Sequence, residues 1–168
     1  GEQGDLERGF ENSDLVIERE FSSQPVHQGY IEPLACVASS SEDGAVELWT
    51  STQGHFVART LLSRLLNLDM SKFRVTASEI GGGFGGKTTI YHEPAAILLS
   101  MKTGRPVRSV MTRGEVLRAT GPTVGSVCRI KIGAKKDGTL VAADAEIWYQ
   151  AGAFKGGPVA RATDSFFS

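Results

Sequence analysis

Gly81-Gly82-Gly83-Phe84-Gly85-Gly86-Lys87-Thr88 is the stretch on which the reading of this chain turns. Taken from Gly81 it spells G-x-x-x-x-G-K-T, the pattern of a phosphate-cradling loop. Taken through Gly81, Gly83 and Gly86 it also spells G-x-G-x-x-G, the pattern of a dinucleotide-binding turn. Such a density of glycine lets backbone run where side chains would clash, and it costs folding entropy unless a ligand or tight packing requires it. The alternative is a purely structural glycine turn.

The surroundings test both patterns. A phosphate loop needs a strand before it, which Phe73 to Ile80 supplies, and a helix that starts at the lysine. Pro94 lies where a helix begun at Lys87 would need its N–H, and proline inside a helix costs about 3 kcal/mol. The helix therefore starts near Tyr91 to Glu93, where proline is comfortable in the first turn. Magnesium would need an acidic strand end; Asp144 is the one candidate, and it belongs to a hairpin rather than a parallel sheet. The dinucleotide pattern wants a ribose-binding carboxylate about 20 residues on. That window, around Gly104 to Arg108, holds neither Asp nor Glu.

Outward from the loop, the chain reads as hairpins with two main helices between them. Ser13 to Ser22 alternates as a half-buried strand. Ala35 to Ser40 and Ala45 to Thr50 flank Glu42-Asp43-Gly44, a hairpin turn signal. His55 to Leu66 is a helix with Val57, Leu61, Leu65 and Leu68 on one stripe. Ala95 to Lys102 is a second helix capped by Gly104, and Arg105 to Thr112 a short strand. Arg129 to Lys135 and Thr139 to Tyr149 pair around Lys136-Asp137-Gly138. The expected fold is α+β, a mixed or antiparallel sheet from hairpins packed with the two main helices.

Composition closes off several classes. With 168 residues, 40% hydrophobic, 22% charged and a net charge of −1, the chain is a globular domain with no basic surface for nucleic acid. Its longest apolar run, around Ala95 to Met101, is too short to span a bilayer. Cys36 and Cys128 lack metal-ligand spacing and read as buried inert thiols, which fits a reducing, cytoplasmic setting. His27 and His92 have no partners at ligand spacing and read as polar contacts. Glu32-Pro33 and Glu93-Pro94 read as turn or element starts, and Lys87 as a partner of loop carbonyls. Residues 1–168 are expected to form one domain, and the end in Phe166-Phe167-Ser168 suggests a piece of a longer protein.

Three segments carry a resemblance: Ile80 to Lys87, Trp49-Thr50-Ser51-Thr52-Gln53, and His27-Gln28-Gly29-Tyr30-Ile31-Glu32-Pro33. In order and spacing they resemble the molybdenum-cofactor-binding large subunit of the xanthine dehydrogenase, aldehyde oxidoreductase and carbon monoxide dehydrogenase family. The similarity runs from about Ser13 to Phe154, within the N-terminal portion of the molybdopterin-binding region. It implies that backbone at Gly82, Gly83, Phe84 and Gly85 lies against a molybdopterin-type cofactor, with or without a cytosine nucleotide. The Gln53 amide would donate to an oxo ligand, a job for a neutral donor. Phe84 and Thr88 would line the substrate pocket. No residue here would ligate the metal directly.

The resemblance further implies hydroxylation of an electron-poor carbon with oxygen taken from water. Electrons would leave through [2Fe-2S] clusters on a small subunit and FAD on a medium subunit, or on further domains. The family's general-base glutamate lies far downstream, so no catalytic residue is expected in this stretch, and alone it is expected to be inactive. Purine-oxidising members carry glutamate after the loop lysine. Thr88 stands there instead, which favours an aldehyde, aromatic or N-heterocyclic substrate. A nucleotide-hydrolysing phosphate-loop domain and a ligand-free docking domain remain the alternatives.

Overall fold

The computed structural model describes residues 3–150. They divide into two compact units, residues 3–26 with 124–150, and residues 27–123. The Phe166-Phe167 end lies outside the described residues.

The second unit carries the glycine loop. Its sheet runs β4-β3-β2-β5, from β2 (Ala35–Ser40), β3 (Val46–Thr50), β4 (Phe73–Ala77) and β5 (Val107–Val110). β2 and β3 form the antiparallel hairpin read at Asp43-Gly44, with Ala38 opposite Leu48. Helix α2 (His55–Leu66) then carries the chain over to β4, which lies parallel to β3, so the sheet is mixed. A parallel neighbour needs such a crossover, because a tight turn can only reverse the chain. Alternation sends Cys36 and Ala38 of β2, and Val46, Leu48 and Thr50 of β3, to the buried face.

Against that face lies α3 (Glu93–Thr103), which starts where Pro94 requires and ends at Gly104 with φ of 65°. Ala96 and Ile97 join Cys36, Ala38, Val46, Leu48, Leu62 and Phe73 in one core. The stripe expected on α2 is corrected by one position. Ala58 and Leu62 are buried, while Leu65 is 63% exposed and Val57 and Leu61 are half-buried. The two stripes are neighbours on the helix surface, and the small Ala58 lets the backbone close on the sheet. Leu68, past the helix end, does pack on the core.

Two short helices went unread in the sequence, α1 (Leu6–Glu11) and α4 (Arg113–Ala119). α4 has a complete capping box: the Thr112 hydroxyl accepts the Glu115 N–H, and the Glu115 carboxylate accepts the Thr112 N–H.

The other unit is an antiparallel sheet β1-β6-β7, from β1 (Leu15–Ser23), β6 (Ser126–Ala134) and β7 (Leu140–Tyr149). α1 packs on one face, where Gly9 meets Val141 and Ala142, and Phe10 and Ser13 meet Gly133. The opposite face presents Leu15, Ile17, Phe21, Ile130, Ile132 and Leu140 around an open apolar trough. No described helix is long and apolar enough to cross a membrane.

Leu62, fully buried between α2 and the sheet, carries the fold prediction. Leu62→Ala is expected to lower the unfolding free energy by about 2–5 kcal/mol, read by urea denaturation. A loss under about 1 kcal/mol would place Leu62 outside the core.

Candidate functional site

Beyond Ala77 the chain leaves β4 and enters the glycine loop, which is held by residues distant in sequence. Gly86 donates to the Gly83 carbonyl at 2.7 Å, closing a four-residue turn. Its central residues, Phe84 and Gly85, have φ of +50° and +83°. This is the mirror-image turn class, which needs positive φ at both positions. For phenylalanine that conformation costs about 1–3 kcal/mol, and it persists only where surroundings over-determine the backbone.

The surroundings do so. Gln53 sits in the turn between β3 and α2, and its Oε1 accepts the N–H groups of Gly85 and Lys87, each at 3.1 Å. The Gln53 N–H donates to the Lys87 carbonyl at 2.9 Å, and the Thr52 hydroxyl donates to the same carbonyl at 3.2 Å. Two N–H groups on one side of the carboxamide fix which end is oxygen, so its –NH₂ faces away from the loop backbone. Among the described residues that –NH₂ has no acceptor. Gly83 is packed beneath the amide: a Cβ there would lie 2.5 Å from Gln53 Cδ and Oε1. Only glycine leaves room for this approach.

On the loop itself, the N–H groups of Gly82, Gly83 and Phe84 donate to no acceptor among the described residues. Consecutive backbone N–H groups without a partner are the kind of donor that anion-binding loops use. The Gly85 N–H, in contrast, is committed to Gln53. The Phe84 ring is 70% exposed, and the exposed Thr88 donates its hydroxyl to the Gly85 carbonyl at 3.0 Å. Gln53, Gly82, Gly83, Phe84, Gly85 and Thr88 are thus brought together.

Lys87 corrects two readings. Its ammonium bonds Glu32 Oε2 at 2.6 Å, not loop carbonyls, and lies 4.9 Å from the Tyr30 ring centroid. The side chain is wholly buried, and no helix begins until Glu93. A lysine spent in this way has no phosphate to meet, and the phosphate-loop reading fails. Glu32, read from sequence as a turn feature, was missed as its partner. A lysine inside a glycine loop with no acidic neighbour needs a carboxylate from elsewhere in the chain, and that requirement was the available signal.

The same Oε2 of Glu32 accepts the Gly81 N–H at 2.8 Å. Burial raises the Glu32 pKa, but the Lys87 and Gly81 hydrogen bonds and the Lys87 charge outweigh it and hold the carboxyl below its ordinary value. The stabilisation this adds is whole above the ordinary glutamate value of 4.5 and is lost as pH falls below it, through the lower folded-state value.

The remaining candidates are structural. Glu93 is buried at the start of α3, where it accepts the Thr50 hydroxyl at 2.9 Å and the Tyr91 N–H at 2.7 Å. His27 Nε2 lies 2.9 Å from the Thr120 hydroxyl, and His92 Nδ1 lies 2.8 Å from that of Ser109. Burial holds the His92 pKa below its ordinary value. No cluster of metal-ligating side chains occurs among the described residues. Burial, and then the Glu93 charge, push the Cys36 thiol up to about 12, which leaves it inert. Cys128 is half-buried.

A mixed sheet that delivers a backbone-lined loop onto a single oriented amide defines a cofactor-binding domain. The chain belongs to the molybdopterin cofactor-binding domain family, whose model matches residues 1–165. It is 34% identical over 144 residues to the xanthine dehydrogenase/oxidase of Mus musculus, covering 84% of this chain and 11% of that one. It is 33% identical over 153 residues to the nicotinate dehydrogenase large molybdopterin subunit of Eubacterium barkeri, covering 91% and 36%.

Among solved structures, the aldehyde oxidoreductase from Desulfovibrio gigas superposes with a TM-score of 0.70 at 25% identity, over 87% of this chain and 16% of that one. Carbon monoxide dehydrogenase from Oligotropha carboxidovorans does so with 0.64 at 31%, over 84% and 18%. The chain therefore spans only a minor part of these relatives, all of which are oxidoreductases by name. The residues present fit the family's cofactor: free amides for anionic atoms, a neutral donor beside them and, among the described residues, no cluster of side chains that would ligate a metal.

Gly83→Ala tests the contact beneath Gln53. It is expected to destabilise the chain by about 1–3 kcal/mol and to displace the carboxamide, read by denaturation and by a crystal structure of the variant. Wild-type stability with Gln53 unmoved would show that the site has slack.

Proposed function

We propose that this chain forms one wall of the catalytic pocket in the molybdopterin-binding subunit of a molybdenum hydroxylase. The observation that carries the reading is the Gln53 carboxamide, whose oxygen is spent on Gly85 and Lys87 so that its –NH₂ is the group left to donate. The cofactor, when bound, supplies the redox centre and the water-derived oxygen of the hydroxylation. Gln53 would hold it by donating to an oxo ligand, and the N–H groups of Gly82, Gly83 and Phe84 would meet its anionic atoms. Gly85 would act through Gln53, because its N–H is already committed there. The exposed Phe84 ring and the Thr88 side chain would border the substrate.

Thr88 supports a substrate other than a purine. A threonine hydroxyl already bonded to the Gly85 carbonyl offers no carboxylate with which to orient a polar heterocycle. Relatives named nicotinate dehydrogenase, aldehyde oxidoreductase and quinoline 2-oxidoreductase agree with an aldehyde, aromatic or N-heterocyclic substrate. Relatives named xanthine dehydrogenase pull the other way. Partners of the kind these enzymes use would be the remainder of the large subunit, an iron–sulfur small subunit and an FAD-binding medium subunit, in the cytoplasm. Among the described residues the apolar face of the β1-β6-β7 sheet leaves Phe21 60% and Leu140 68% exposed, which supports coverage by that remainder.

Steady-state kinetics of the whole enzyme test the assignment. Simple aldehydes or N-heteroaromatics should exceed xanthine in kcat/KM by about tenfold or more, equivalent to about 1.4 kcal/mol. Faster turnover of xanthine would overturn the substrate reading. In the same assay Gln53→Glu, which keeps the oxygen that accepts the Gly85 and Lys87 N–H groups and removes the donor, should lower kcat by about 10²–10³. An unaffected kcat would remove Gln53 from the site.

The 168-residue chain by itself is expected to hold no stoichiometric molybdenum and to turn over no substrate, because it lacks the downstream base and the other loops around the pterin. Elemental analysis and an oxidase assay check this; a loaded, active isolated chain would refute it.

A further inference from the structure

The geometry points to Glu32 and Lys87 as positioning residues that set the direction of the Gln53 carboxamide. Because the pair acts through Gln53, its role rests on the proposed assignment of that amide to the cofactor.

The terminal χ3 of glutamine is a soft torsion with little preference of its own, so hydrogen bonds alone choose where the –NH₂ points. In this chain the choice is made by Gly85 N–H and Lys87 N–H, which both take the amide oxygen. The amide is therefore only as well oriented as those two backbone groups. Lys87 is the better anchored. Its carbonyl is held by the Gln53 N–H and the Thr52 hydroxyl, and its ammonium by Glu32.

Glu32 does more than neutralise the ammonium. One of its oxygens takes both the Gly81 N–H at the loop's entrance and the Lys87 ammonium at its exit. Its own N–H donates to the Gly81 carbonyl at 3.3 Å. A loop whose turn needs positive φ at a phenylalanine would relax if either end could drift. With both ends tied to one carboxylate oxygen, the span between them is fixed. A methionine could fill the volume of the lysine stem, but it would supply no directional tie. Replacing a buried ion pair by apolar groups of similar volume is often neutral for stability, so the tie can be removed without unfolding the chain. The Tyr30 ring, under the ammonium, closes the remaining side.

The test uses the whole enzyme with Lys87→Met, and the double variant Glu32→Gln/Lys87→Met, which leaves no lone buried charge if the single variant fails to fold. In the double variant, molybdenum content and Tm are expected to stay near wild type. Amide hydrogen exchange across residues 81–88 should quicken about tenfold while β2 and β3 keep their protection. The Mo(V) electron paramagnetic resonance spectrum should change, and kcat should fall about tenfold with KM little altered.

Unchanged exchange across the loop would overturn the clamp. Faster exchange with an unchanged spectrum and kcat would reduce the pair to a structural role and overturn the positioning. The exchange arm, run also on cofactor-free protein, judges the clamp even if wild-type enzyme proves to hold no molybdenum. That last result would sink the proposed function instead.

Discussion

A single buried ammonium organises this molecule's site. The Lys87 side chain is wholly removed from solvent, and an uncompensated charge there would cost about 3–5 kcal/mol. That constraint forces Glu32 to meet it, and Glu32 in turn captures Gly81. The backbone of Lys87, fixed by its own side chain, then presents an N–H and a carbonyl to the turn holding Gln53. Loop and turn are thus one unit, although they lie on opposite sides of the α2 crossover in sequence. The β3-α2-β4 crossover brings them together, because it sets β4 beside β3 so that both strands end near the same place.

Further anchors extend the same logic past the loop. Glu93 ties the start of α3 to Thr50 at the end of β3, one step from the turn that carries Gln53. Its other oxygen holds the Tyr91 N–H, which ties the segment leaving the loop to the same helix start. On the site's face, the groups without a partner among the described residues include the Gln53 –NH₂ and the N–H groups of Gly82, Gly83 and Phe84. Polar groups left free beside a carboxamide held in one orientation are the ones a ligand would meet.

Much of this was legible in the sequence, for reasons that are local. Asp43-Gly44 and Asp137-Gly138 set the two hairpins through turn chemistry, Gly104 stopped α3, and Pro94 forbade a helix from starting at Lys87. The limits of α2 were readable from periodicity, but its buried face was not. Val57-Leu61-Leu65 and Ala58-Leu62-Leu66 are both apolar lines, and the choice between them is made by the sheet beneath. α4 was missed although Thr112-Arg113-Gly114-Glu115 spells its capping box. The sequence signalled that Lys87 needs a carboxylate but not which one, since Glu32 lies 55 residues away and neither neighbourhood refers to the other. The resemblance found Gln53 and the glycines; only the fold revealed what holds them.

Whether the Gln53 amide and the free loop amides face a molybdopterin-type cofactor is decided most directly by a crystal structure of the loaded whole enzyme, with the metal placed by anomalous scattering at the molybdenum edge. The expected result is a ligand atom of the bound group about 3 Å from Gln53 Nε2, with the Gln53 oxygen still on Gly85 and Lys87. A molybdenum centre remote from Gln53, or a Gln53 amide turned back into the protein, would contradict the assignment.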